Sequence, residues 1–173
     1  MEKTIYSKLI YKGKNFSFKT SEVELPNGKI TTRDTIDHPG AVAIVPILED
    51  GRILLVRQYR YSTCKELLEI PAGTLEEGEA PDTCARRELR EETGYNAGSM
   101  KKILIMYMAP GYSNELIHLY FATGLKAGES HAEEDESIRV ETYSPDELLE
   151  MIEKNTIEDA KTISGILSYL TRA

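Results

Sequence analysis

"PAGTLEEGEAPDTCARRELREETGY", residues 71–95, gathers seven acidic side chains within twenty-five positions. Like charges at helical spacing repel by a few tenths of a kcal/mol per pair, so such a stretch costs stability unless cations or basic partners occupy it. The stretch therefore points to something outside the chain that binds there. From Pro81 to Thr93 the composition favours a helix: Pro81 suits the first turn, Asp82 complements its positive end, and Gly94 suits the position just past the last turn. On that helix Glu88 and Glu92 stand four apart and Glu91 three from Glu88, so the carboxylates share one face beside a strand-to-helix loop. Hard divalent cations favour carboxylate oxygens grouped in this way. Arg87, four residues before Glu91, can hold that carboxylate in place, while Ala85 and Leu89 fall on another face and can anchor the helix.

Upstream, "AVAIVPIL" (41–48) is a continuous apolar run, expected as a strand buried on both faces, and "ILLVRQYR" (53–60) returns after the turn "EDGR". "KELLEIPAG" reads as a short strand entering a loop. Residues 4–35 read as extended segments, with "PNGK" (26–29) a hairpin turn between "FKTSEVEL" and "ITTRDTI". Downstream, "KKILIMYM", "ELIHLYFATGL" and "IRVETYS" read as strands, and helix resumes from Pro145, where Leu148, Leu149 and Ile152 recur at helical spacing as core. Strands interrupted by one charged helix, with helix again at the end, point to an α/β or α+β sandwich.

The whole chain sets limits on partners. Its 173 residues, 40% hydrophobic and 29% charged, suit one globular domain. A net charge of -8 speaks against electrostatic capture of nucleic acid or of an acidic membrane surface, and no eighteen apolar residues run together to span a bilayer. Cys64 and Cys84 form no disulfide framework and no C-x-x-C pair; we expect buried thiols in a reducing, cytoplasmic compartment. His38, His118 and His131 have no metal-ligand spacing. The chain has no Trp, so an aromatic ring bound by stacking would meet Tyr, Phe, or an aliphatic side chain with Arg.

Written as spacing, the quoted stretch is Gly73, five residues, Glu79, seven residues, then Arg87-Glu88-Leu89-Arg90-Glu91-Glu92-Thr93-Gly94-Tyr95. This resembles the signature box of the Nudix hydrolases, G-x5-E-x7-R-E-U-x-E-E-x-G-U with U bulky and apolar. All seven fixed positions match, and the one soft departure is Tyr95 at an aliphatic position. A solvated, salt-bridged helix is the plain alternative, but it explains neither Gly73 nor the spacing. The resemblance implies a Nudix α/β/α sandwich with a mixed sheet over residues 39–173. It also implies an N-terminal β-hairpin extension over 1–38 that helps form a domain-swapped homodimer. By position, Glu88 and Glu92 are the principal ligands of Mg²⁺ or Mn²⁺, completed by the carbonyl of Ala72. Glu91 ligates a further ion or orients the site with Arg87, and Glu79 acts from behind them.

Three further segments resemble the ADP-ribose pyrophosphatase group: "RDTIDHPGAVAIVPI" (33–47), "RQYRY" (57–61) followed by "LLEIPAG", and "APGYSNE" (109–115), which sets Pro110 sixteen residues after Gly94. In that group an acidic loop carries a glutamate acting as catalytic base or positioning the water. In "HAEEDESIRVETYS" this role falls to Glu136, with Glu134 the alternative. Arg60 would meet a phosphate as a bidentate donor, or stand as a surface charge. Arg33 would reach the nucleotide from the partner subunit and Glu115 would touch the terminal ribose or a metal ion's surroundings, though each is as readily a surface charge. The implied activity is hydrolysis of ADP-ribose to AMP and ribose 5-phosphate. The rivals are another nucleoside diphosphate sugar, such as GDP-mannose or ADP-glucose, and a ligand-sensing Nudix domain without catalysis.

Overall fold

The apolar run from Ala41 becomes β4 (Ala41–Pro46), and all six of its residues are buried. In this computed structural model, which describes residues 1–128 and 138–172, β4 lies inside a four-stranded sheet. Its order is β7 (Ala72–Thr74), β4, β9 (Leu116–Ala127), β8 (Tyr95–Tyr107). A strand covered on both faces needs a helix on each, and the packing supplies them. Val42 and Ile44 join Tyr120 and Ala122 against Cys84, Ala85 and Leu89 of α1 (Pro81–Thr93). On the opposite face α3 (Ala160–Leu170) comes so close that a Cβ on Gly165 would stand 2.9 Å from Val45 and 3.0 Å from Ile70. There Phe121 meets Tyr169 edge-on, with ring centroids 5.9 Å apart. Helix, sheet and helix stack as the sandwich expected.

A second, antiparallel sheet runs β10 (Arg139–Tyr143), β5 (Ile53–Arg60), β6 (Lys65–Glu69). α2 (Pro145–Glu153) is opened by a reciprocal cap between Ser144 and Glu147 and packs on α3. These elements belong to a unit of residues Ala41–Ile105 and His118–Ala173.

The other unit, Met1–Gly40 with Met106–Ile117, is built on an antiparallel meander of β1 (Lys3–Lys12), β2 (Ser17–Glu24) and β3 (Ile30–Asp37). The expected hairpin is thus correct for β2 and β3 but one strand short, since β1 pairs along the full length of β2. The end of β3 is laced to the proline-containing segment: Ile36 N–H donates to the Tyr112 carbonyl at 2.7 Å, and His38 N–H to Asn114 Oδ1 at 2.8 Å.

Two core assignments need correction. Cys64 is exposed in a turn where its own φ is 55°, although Cys84 is buried as expected. Leu148 is fully buried, but its neighbour Leu149 is 39% exposed, because one side of α2 suffices to cover α3.

Candidate active site

α1 begins after Ala80 without a side-chain cap, relying on Pro81 and Asp82 in its first turn, and Gly94 ends it in the left-handed conformation at φ 74°. Buried Ala85 and Leu89 fix its rotation. That rotation turns the Glu88 carboxylate onto β7. A Cβ at Gly73 would fall 1.9 Å from the Glu88 carboxyl carbon, so only glycine leaves the carboxylate its place. One turn on, Glu92 is buried and its Oε2 accepts the Ala72 N–H at 3.1 Å. The two carboxylates expected as principal metal ligands thus converge on the backbone of Ala72 and Gly73.

Arg87 organises the remainder. Its Nε and Nη2 donate to the two oxygens of Glu79, each at 3.0 Å, while Nη1 reaches Glu88 Oε1 at 2.7 Å and Glu91 Oε2 at 3.0 Å. The paired hydrogen bonds from Arg87 hold the Glu79 carboxyl down at about 2, and the Arg87 guanidinium is correspondingly raised. Burial first and the hydrogen bond with Glu79 second push the Cys84 thiol up to about 12, which favours the protonated form. The carboxylates are drawn onto Arg87 rather than around one centre: among the described residues no three His, Cys, Asp or Glu side chains are grouped as a metal cage. The donor set nevertheless suits a hard cation. Three glutamates, Glu79, Glu88 and Glu91, face one arginine, the side-chain donors are all carboxylate oxygens, and Glu88 and Glu92 lie against backbone.

Arg60, at the end of β5, gives Nε and Nη2 to Glu69 Oε1 and Oε2, both at 2.8 Å. One edge of its fork, Nε with Nη2, is therefore occupied by the protein. The negative charge of Glu92 is close enough to contribute, after Glu69, to raising the Arg60 pKa. Arg33 instead pairs with Glu2 through Nε and Nη2, at 3.1 and 2.7 Å, on the exposed meander sheet. Glu115 follows the 112–114 contact with β3, its N–H donating to Ser113 Oγ. Arg33 and Glu115 both fall in the unit that does not contain α1. Glu134 and Glu136 lie outside the described residues.

Sequence reasoning missed the partners of Arg60. Glu69 is buried together with Lys161, and the only hint was a glutamate between Leu68 and Ile70. His118 Nδ1 is buried with no hydrogen-bond partner among the described residues, and burial, then the charge of Lys102, lowers its pKa.

The family model described as NUDIX domain matches residues 37–165. The chain is 41% identical over 167 residues to an ADP-ribose pyrophosphatase of Bacillus subtilis (strain 168), covering 95% of this chain and 90% of that protein. It is equally 41% identical, with the same coverage, to a methanol dehydrogenase activator of Bacillus methanolicus. In fold it is similar to a solved ADP compounds hydrolase, with a TM-score of 0.87 at 22% identity over 98% of this chain and 92% of that one. With the glutamate box seated on its glycine and the family model spanning most of its length, the chain belongs to the Nudix family.

Proposed function

We propose that this protein hydrolyses the pyrophosphate of ADP-ribose, giving AMP and ribose 5-phosphate, with Mg²⁺ or Mn²⁺ as cofactor. The observation that carries the reading is the convergence of Glu88 and Glu92 on the Ala72–Gly73 backbone, beside an arginine that already links Glu79, Glu88 and Glu91. The substrate assignment is supported by the similarity to the Bacillus subtilis enzyme along almost the whole chain.

Glu88, Glu92 and the carbonyl of Ala72 would hold the metal, and Glu91 a further ion. When bound, such ions neutralise phosphoryl oxygens and lower the pKa of a coordinated water. The chain's own residues do the positioning. Arg87 gathers Glu79, Glu88 and Glu91 beside Ala72 and Gly73, so a cation would need only to draw Glu88 and Glu91 off the guanidinium. Arg60 turns one guanidinium edge toward a phosphate while Glu69 holds the other. Glu136, or Glu134, takes the proton from the attacking water.

The protein works as a homodimer in this reading, and the exposed apolar residues of the meander support it: Ile5, Tyr6, Leu9, Ile10, Tyr11, Phe16 and Ile30 all stand in solvent in the single chain. Arg33 then serves the site of the partner subunit. Two free thiols accord with a reducing, cytoplasmic setting. The test is chromatography of ADP-ribose incubated with the protein, with and without Mg²⁺. Metal-dependent appearance of AMP and ribose 5-phosphate in equal amounts is expected, and a folded, Mg²⁺-supplied protein that leaves ADP-ribose intact contradicts the proposal.

A further inference from the structure

A buried pair of charges lies outside the glutamate box. The Glu69 side chain is 2% exposed and that of Lys161 10%, and Lys161 Nζ hydrogen-bonds Glu69 Oε2. Lys161 also reaches Asp159 Oδ2 at 3.0 Å. Asp159 caps the first turn of α3 by accepting Thr162 N–H at 3.0 Å, and it accepts the Thr162 hydroxyl at 2.6 Å. Thr162 Oγ1 in turn accepts Ile70 N–H at 2.9 Å, next to Glu69. A chain of polar contacts therefore runs from the start of α3 through the end of β6 to Arg60, the one member with a side chain as much as 37% exposed.

Burying paired charges is weak stabilisation, because desolvation offsets most of the attraction, and apolar replacements of similar volume are often neutral or better. Stability alone is a poor reason for this network. Its geometry has a directional consequence: the Glu69 carboxylate, itself pinned by Lys161, takes the Nε–Nη2 edge of Arg60 and so dictates where the Nη1 edge points.

We propose that Glu69, clamped by Lys161, is a positioning residue that aims Arg60 at a phosphate of the substrate. The inference rests on the pyrophosphatase reading above. Glu69 touches no reacting atom; it acts through Arg60.

The test compares kcat/KM for four proteins: wild type, Arg60→Ala, the double variant Glu69→Met with Lys161→Met, and the triple variant. The double variant removes both buried charges and leaves neither unpaired. It is expected to melt within a few degrees of wild type yet lose about tenfold or more in kcat/KM, the scale of one charge-assisted hydrogen bond. In the triple variant the Arg60→Ala change should then cost less than about threefold, since the arginine has already lost its aim. Wild-type-like kinetics in a folded double variant, or multiplicative losses in the triple, would overturn the inference while leaving the function standing. Should the double variant not fold, Arg60→Lys decides: it keeps the charge but not the fork, so a loss of about tenfold is expected and full activity contradicts the proposal. A wild type inactive on every nucleoside diphosphate sugar rejects the function, and this inference with it.

Discussion

Gly73 and Glu88 compete for the same space, since a single methyl group at position 73 would sit where the Glu88 carboxylate now lies. The atoms it would meet are the far end of a flexible side chain, so Gly73→Ala should barely change stability. Glu88 would swing away, and hydrolysis should fall by about 10² or more, the loss typical of one misplaced electrostatic group. Thermal melting alongside steady-state kinetics separates the two effects; undiminished activity would show that the Glu88 position is not needed. Glu92→Gln is the companion test. The amide oxygen can still accept the Ala72 N–H, so the fold should persist, while the lost charge should lower activity by about 10²-fold or more.

Among the elements, β5, β6 and α3 meet through charge as well as through apolar packing. Burial by itself pushes the Glu69 carboxyl up, but the Arg60 hydrogen bonds and the Lys161 charge outweigh it and hold it down at about 2. A carboxylate lowered from its ordinary 4.5 stabilises the fold fully above that value. The contribution is lost as the pH falls from about 4.5 toward 2, and Glu79, also held at about 2, adds to the same decline. The urea midpoint should therefore be level above about pH 5 and drop below it, with a shallower drop in the Glu69→Met, Lys161→Met variant. Glu69→Ala alone leaves Lys161 buried with only Asp159 beside it, and should cost about 3 kcal/mol by urea unfolding at pH 7. How much of this was legible in sequence varies with its physical basis. α1 was readable to the residue, because Pro81 and Gly94 mark its ends and the glutamate spacing marks its face. The Glu69–Lys161 contact was not, because it joins residues 92 apart in sequence and no local pattern encodes it.

At the scale of the whole molecule, β1 is exposed along all ten of its residues, including Ile5, Tyr6, Leu9, Ile10 and Tyr11. The proposed homodimer would cover this apolar surface. The sequence alternation of β1 was too weak to show a third strand, since a strand with neither face buried in its own chain carries little period-2 signal. Sedimentation should give twice the 19.5 kDa chain mass, and Leu9→Glu with Tyr11→Glu should shift it toward monomer. If the partner's Arg33 completes each site, activity falls with the dimer; a fully active monomer would remove Arg33 from the site.

The central claim is chemical, and a substrate panel tests it most directly. Neither ADP-ribose nor its analogues carry a phosphate monoester, whereas the hydrolysis products do, so a coupled phosphatase reports cleavage as released phosphate. With Mg²⁺ present, kcat/KM for ADP-ribose is predicted to exceed that for ADP-glucose, GDP-mannose, NADH and diadenosine polyphosphates. Preference for one of the others would keep the Nudix chemistry and displace the substrate, and no turnover of any of them by the folded protein would contradict the account.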